Sequence, residues 1–229
     1  MTPSPMQPTD SYNRLLLLPL FQGMSRNELH EVVAHTKLGF LKVAQGRTAY
    51  SEGEHYTAIP MLTDGTLIAR ARADNGTYTL EETVNAPAII DPERLFGLTQ
   101  HFSRTYTART TCRFVNLTKA EVLRLASHHD IFMLNLLNIV STHTQRLGRQ
   151  PWRTQQLTIR QKIARFVEQR ALRPAGEIWL YVTMQTLATA IGESRLNLSR
   201  QLNALQQQGV LQLHRAHIYI PALEKLINE

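Results

Sequence analysis

The chain has 229 residues, 43% of them hydrophobic, with 25 Lys+Arg against 18 Asp+Glu and a formal net charge of +7. That length corresponds to one large domain or two small ones. The single cysteine, Cys112, excludes a disulfide scaffold and, within one chain, a four-cysteine iron–sulfur or zinc site. The longest purely aliphatic run, Leu15 to Leu18, stops at Pro19, far short of the roughly 18 residues a membrane span needs, so no membrane partner is expected. MTPSPMQPTD at the start carries no Lys or Arg and no apolar stretch. It does not read as a signal peptide, and a cytoplasmic location behind a short disordered tail is expected.

In chain order, Asn13 to Thr36 reads as a short helical lead-in, with Ser25 and Glu28 in the spacing of a capping box. From Lys37 to Asn116 short apolar or alternating stretches are broken by Gly46, Gly53, Gly65 and Asn75-Gly76. That texture predicts a compact β-sandwich or barrel. Asn75-Gly76 is the strongest hairpin signal, suited to a type I′ turn. The last strand is expected over Thr105 to Leu117, followed by a helix capped by Thr118. Residues Asp130 to Leu147 place Ile131, Leu134, Leu137, Val140 and Leu147 near one stripe. Met133, Leu136 and Ile139 widen the stripe beyond the need of a single flank, which suits a dimerisation helix. Gly148 and Pro151 then interrupt it.

The last third carries most of the charge surplus. Residues 1–149 hold 15 Lys+Arg and 13 Asp+Glu, whereas residues 150–229 hold 10 and 5. A basic surplus on a small module suits a polyanion such as nucleic acid. Here the pattern reads as an amphipathic helix over Ile159 to Leu172, a strand over Ile178 to Val182, and a helix capped by Thr183 and ended by Gly192. A second helix starts at Ser194 and stops at Gly209. VLQL, a turn at His214-Arg215-Ala216-His217, and IYIP form a wing. Two short helices joined by a glycine turn have the spacing of a helix-turn-helix, whose second helix enters the major groove of DNA. On that helix Leu198, Leu202 and Leu205 fall within roughly 60° of arc, and Leu196, Ser199, Arg200 and Asn203 lie on the other face with Arg195 at the border. Arg and Asn are the side chains that read guanine and adenine edges. Arg195 and Arg200 are the expected base and adjacent phosphate contacts, with Ser194, Leu196, Asn197, Ser199 and Asn203 beside them. Thr183, Gln185, His214, Arg215 and His217 are expected to position the DNA backbone.

TLATAIGESRLNLSRQLNALQQQGVLQL resembles the recognition-helix region of the cyclic AMP receptor protein and FNR family of bacterial transcription regulators. Ser194-Arg195 and Ser199-Arg200 fall on its SR…(S/G)R pattern, and YSEGE at 50–54 and TDG at 63–65 are similar to its β-roll. The resemblance implies an α+β chain in three parts: a cyclic-nucleotide-binding-like β-roll at 13–128, a dimerisation helix and hinge at 129–156, and a winged helix-turn-helix at 157–229. It implies a homodimeric regulator on a pseudo-palindromic operator in double-stranded DNA, with RNA polymerase as a further partner and no enzymatic activity.

The departures from the family pattern bear on the effector. The stretch PERLFGLTQHFSRTYTAR has Gly97-Leu98 for the family's Gly-Glu and Phe102-Ser103 over its Arg-Ser pair. Arg104 replaces the missing charge only with a slip of one or two residues. The dimer-helix Thr-Ser of cyclic AMP-responsive members aligns with Arg146-Leu147. A buried cyclic phosphate without a matched cation is unfavourable, so cyclic AMP is not expected. The pocket, assigned to Gly97, Leu98, Ser103, Arg104, Thr105 and Arg146, is left either empty or open to another small ligand. Some relatives bind haem, for which His35, His101, His128, His129 and Met61 are candidate axial ligands. Leu196 stands where the family often has Glu, which implies a different operator. The alternative reading is an effector-binding β-roll, for cyclic nucleotide, haem or metal, whose helical tail is not used for specific DNA binding. Residues 37–117 hold no His-x-His pair of the kind cupin-like metal enzymes use.

Overall fold

A computed structural model describes residues 15–147 and 157–228. The expected N-terminal tail and the hinge around Gly148 and Pro151 lie outside the described residues. The chain divides into two compact units, one of residues 1–67 and 84–145, the other of residues 68–83 and 146–229.

The first unit opens with a 3₁₀ turn, Pro19–Phe21, and helix α1, Arg26–His35. The lead-in is therefore two pieces, because Pro19 and Gly23 interrupt it; Gly23 has φ +84. Ser25 caps α1 in a complete capping box with Glu28. Along the chain follow strands β1 (Gly39–Val43), β2 (Thr48–Tyr50), β3 (Ala58–Asp64), β4 (Thr66–Arg72), β5 (Tyr78–Asn85), β6 (Ala88–Ile89), β7 (Thr105–Ala108) and β8 (Cys112–Thr118), of which most of β4 and β5 falls in the second unit. One sheet has the order β1-β8-β3-β6, and β5-β4-β7-β2 are neighbours in a second. Alternating burial along β4 and β7 fits strands with one face in a core.

The run expected as one strand from Thr105 to Leu117 is two. At Arg109 to Thr111 the chain leaves the sheet of β7 and enters that of β8, with the Arg109 N–H donating to Thr66 O at 2.8 Å. Gly65 makes this crossing fit: its φ is +95, and a Cβ there would sit 2.5 Å from Thr111 O. Cys112 packs beneath it, fully buried, and burial pushes its thiol up from the ordinary value. The hairpin at Asn75-Gly76 is also not the expected type I′ turn. Only Gly76 has positive φ, and Ala73 N–H donates to Tyr78 O across a four-residue loop. Asn75 Oδ1 accepts from the Thr77 N–H at 3.1 Å, an Asx turn that satisfies the loop without left-handed asparagine.

Helix α2 (Lys119–His128) is capped by Thr118, and helix α3 (Asp130–Leu147) follows after one residue. Phe132 and Leu136 of α3 are buried, and Phe132 lies 5.6 Å from the Phe21 ring. The Asn135 amide donates to Leu20 O at 3.1 Å and Gln22 O at 2.8 Å, tying α3 to the lead-in.

The second unit contains α4 (Ile159–Glu168), β9 (Ile178–Val182), α5 (Met184–Ile191), α6 (Arg195–Gln207), β10 (Gln212–Leu213), β11 (Ile218–Ile220) and α7 (Leu223–Asn228). Helix α4 stops at Glu168, four residues before the expected Leu172. Its apolar face joins Leu180, Leu187, Leu198, Leu202, Leu205 and Ile220 in one core. Residues 68–83, the outer part of the β4–β5 hairpin, belong to this unit. There β5 pairs antiparallel with β9, Leu80 opposite Leu180, and Leu80 is 1% exposed within the same core. Two polar anchors hold the pairing. Both Glu82 carboxylate oxygens accept from the Leu172 N–H, at 2.9 and 2.8 Å, and Arg170 Nε donates to Tyr78 Oη at 2.8 Å.

Candidate nucleic-acid interface and effector segment

Helices α5 and α6 are joined at Gly192, which takes the left-handed conformation with φ 67 and ends α5 with its N–H on Ala188 and Thr189 carbonyls. The next helix starts three residues later. Ser194 caps it, its Oγ accepting from the Asn197 N–H at 3.1 Å. Leu198, Leu202 and Leu205 are fully buried, and Arg195, Leu196, Asn197, Arg200 and Asn203 are exposed, with Ser199 half-buried. The core therefore fixes the helix by one edge and presents the opposite edge to solvent. Neither the Arg195 nor the Arg200 guanidinium is engaged by an acid among the described residues. Asn203 differs: its amide nitrogen donates to Ser199 O at 2.9 Å, so reading adenine with both amide atoms requires releasing that bond. Leu196 is 60% exposed, an apolar patch on a polar edge.

Thr183 is exposed and caps α5 by accepting from the Thr186 N–H at 3.1 Å, and Gln185 is exposed on the first turn of that helix. The wing turn closes with the His214 N–H donating to His217 O at 2.9 Å. The two imidazoles stack at 4.5 Å between centroids with 16° between planes, and His217 also lies 5.3 Å from the Tyr181 ring. Arg215 is exposed between them. The wing is tied to α6, because the Leu213 N–H donates to the Gln206 side chain at 2.7 Å.

The segment expected to hold an effector is built differently. Phe102 is buried, stacked on Tyr50 at 4.6 Å and packed on Tyr56 at 4.8 Å. Phe102, expected to stand over a cationic pair, thus belongs to an aromatic cluster. Ser103 and Tyr106 turn to Asp91, donating to its carboxylate at 3.0 and 2.6 Å. Asp91 is buried with φ 42, ahead of the 3₁₀ turn Pro92–Arg94. Burial pushes the Tyr50 hydroxyl up to about 12. Burial and the adjacent Asp91 charge raise Tyr106 well above its ordinary value. Arg104 is half-buried and near enough for its charge to act on Tyr106, and Thr105 is half-buried at the start of β7. Leu98 is fully exposed and Gly97 only partly covered, so they do not line an enclosed pocket with Ser103. The Arg146 side chain lies outside the described residues.

Sequence reasoning missed the charged group of this region. Glu93 Oε2 lies 3.0 Å from His143 Nδ1 on α3, and Glu93 Oε1 lies 3.4 Å from Arg94 Nε. These are close polar contacts without well-aimed hydrogen bonds, since Glu93 Oε2 and Arg94 Nε are buried with none. Burial pushes the Glu93 carboxyl up, but the His143 contact and charge, with Arg94, outweigh it and hold the carboxyl below its ordinary value. The local signal is faint: one Glu in a Pro-Glu-Arg turn and one His on a helix fifty residues away.

Of the haem-ligand candidates, His35, His101 and His128 are exposed, His129 is half-buried and Met61 is fully buried. His101 faces His55, their rings 5.3 Å apart. No group of three or more His, Cys, Asp or Glu suited to a metal is present among the described residues. On the expected dimer helix, Leu134 and Leu137 are each 55% exposed, and Ile131 and Val140 are half-buried. The Leu147 side chain lies outside the described residues. No helix among the described residues is long and apolar enough to cross a membrane.

Residues 161–229 match the family model of the Crp-like helix-turn-helix domain. No curated protein matches the sequence. Among solved structures, the sensor domain of the transcriptional regulator DNR from Pseudomonas aeruginosa is similar at 20% identity, over 64% of this chain and 97% of that chain, with a TM-score of 0.50. The Catabolite Activator Protein of Thermus thermophilus is similar at 18% identity, over 92% of this chain and 97% of that one, with a TM-score of 0.48. The module at 161–229 is thus a Crp-like helix-turn-helix domain. Ahead of it the chain carries a β-sandwich whose fold is similar to that of the DNR sensor domain.

Proposed function

We propose that the chain acts as a homodimer on a pseudo-palindromic operator, with α6 of each copy in a major groove roughly one helical turn from the other. The observation that carries this reading is the division of α6, three leucines fully buried and Arg195, Asn197 and Arg200 exposed on the opposite edge. Arg195 and Arg200 contact bases and the adjacent phosphate, assisted by Asn197, Ser199 and Asn203. Ser194 and Thr183 act through the caps that set the two helices, and Arg215, His214 and His217 meet the backbone. The exposed Leu134 and Leu137, with Met133 at 37%, support α3 as the dimer seam. RNA polymerase is the expected further partner.

Control lies in the β-roll, by a small effector other than cyclic AMP. Phe102 packed between Tyr50 and Tyr56 supports this, because the position that would need a cation for a cyclic phosphate is aromatic. Fluorescence-anisotropy titration on DNA from upstream of the protein's own gene and on a scrambled duplex, with and without cyclic AMP, tests both parts. Preference for the upstream DNA that cyclic AMP leaves unchanged is the expected result. Preference that appears only with cyclic AMP would overturn the effector reading.

A further inference from the structure

The wing carries a pair of titratable rings whose arrangement goes beyond backbone contact. His214 and His217 stack nearly parallel at 4.5 Å, closed by a backbone hydrogen bond between the same two residues. The ring of His217 rests on Tyr181 of β9, whose hydroxyl donates to Glu81 of β5 at 3.5 Å, and Arg70 of β4 pairs with that same carboxylate. Arg215, in the turn, is a second positive group close to the pair, and Gln206 of α6 is the neutral side chain that anchors the wing. No carboxylate pairs with either imidazole among the described residues: Glu81 is engaged by Arg70 and Tyr181, and Glu177 beside β9 accepts from the Tyr219 hydroxyl.

This geometry has a chemical consequence. Two imidazoles at this separation stack readily when both are neutral or when one is charged, the charged ring resting on the face of the other. Two charges at that separation repel. A single added proton therefore has a place in the pair but no internal counter-ion. A DNA phosphate is the anion that would complete it, and the wing is held at a fixed position beside the reading helix by the Leu213–Gln206 hydrogen bond.

We propose that His214 and His217 form a one-proton phosphate clamp, so that the wing grips DNA more strongly as the pH falls through the histidine range. This rests on the DNA-binding reading above and adds a regulation to it. Protonation and phosphate binding are linked: the bound phosphate favours the charged form, so complex formation takes up one proton in that range. The contact is independent of base sequence and can be measured without knowing the operator.

The test is an anisotropy titration of the full chain on a duplex of arbitrary sequence, with EDTA present, at about pH 6 and about pH 8. Each is repeated between about 50 and about 200 mM salt. Wild type is expected to bind about three- to tenfold more tightly at the lower pH, with the slope of log K against log salt steeper by about 0.9, the mark of one further phosphate neutralised. H214Q/H217Q should lose that difference in slope. His214→Lys, which supplies a fixed charge at the exposed member of the pair, should bind at the higher pH as wild type does at the lower. A double variant that keeps the full pH difference would overturn the clamp, because another histidine would then carry it. Binding by wild type that is the same at both pH values would overturn the clamp and leave the DNA-binding reading intact. Absence of binding at either pH would overturn that reading and the clamp with it.

Discussion

Helix α6 and the segment from Asp91 to Tyr106, the two places proposed to meet another molecule, are built in opposite ways. Helix α6 buries three leucines completely and leaves its polar edge to solvent. In the other segment the side chains turn inward: Phe102 fills the aromatic cluster, and Ser103 and Tyr106 hydrogen-bond to Asp91. One surface is prepared for a partner and the other is satisfied by its own chain. The polar edge of α6 is left open for contact, and the segment from Asp91 to Tyr106 is closed by its own packing.

The largest expected effect tests the packed side. Phe102→Ala should cost about 3–5 kcal/mol, the range for a buried aromatic truncated to alanine, read by denaturant unfolding of the full chain. A loss under about 1 kcal/mol would contradict the close packing of the ring on Tyr50 and Tyr56. Leu80→Ala should cost about 2–5 kcal/mol, because Leu80 is a core residue of the second unit although it comes from the β4–β5 hairpin. Hydrogen exchange at β9 should rise in the same variant.

On the open side, Arg200→Ala should weaken operator binding by about 1–3 kcal/mol and change folding stability by less than about 0.5 kcal/mol. An equal loss on every duplex would make it a phosphate contact only. The smallest effect is the titration of Glu93. Its carboxyl is held below the ordinary value of 4.5 in the folded chain, so its contribution to stability is present above that value and is lost as pH falls through the lower folded value. Glu93→Gln should flatten the acid limb of the unfolding profile in that window; an unchanged limb would show that the His143 contact contributes nothing.

The difference between the two regions also explains what the sequence made legible. Helix α6 is a local object. Its cap, its leucine spacing and Gly209 at its end all lie within sixteen residues, and helical periodicity alone divides its faces. The Ser25 capping box and the Gly192 turn were readable for the same reason. What stayed hidden depends on partners distant in sequence. Leu80 meets Leu180 across one hundred positions, and nothing in TYTLEETV distinguishes a strand of the roll from a strand that completes another unit's core. Glu93 and His143, and the turn of Ser103 and Tyr106 toward Asp91, are likewise long-range pairings. The break at Arg109 to Thr111 is not legible in the sequence because strand periodicity is the same in either sheet, and only the Gly65 crossing marks where the chain changes sides. Asn75-Gly76 did mark a hairpin, but the side chain of Asn75 chose an Asx turn over the expected dihedral.

The most direct test of the reading of α6 is selection of bound duplexes from a random pool by the wild-type chain and by the Arg195→Ala/Arg200→Ala variant, followed by sequencing. Wild type should enrich an inverted repeat with half-sites roughly one helical turn apart, and the variant should lose base preference at matching positions of both halves. Enrichment of the same repeat by both proteins, or of no sequence by either, would contradict it.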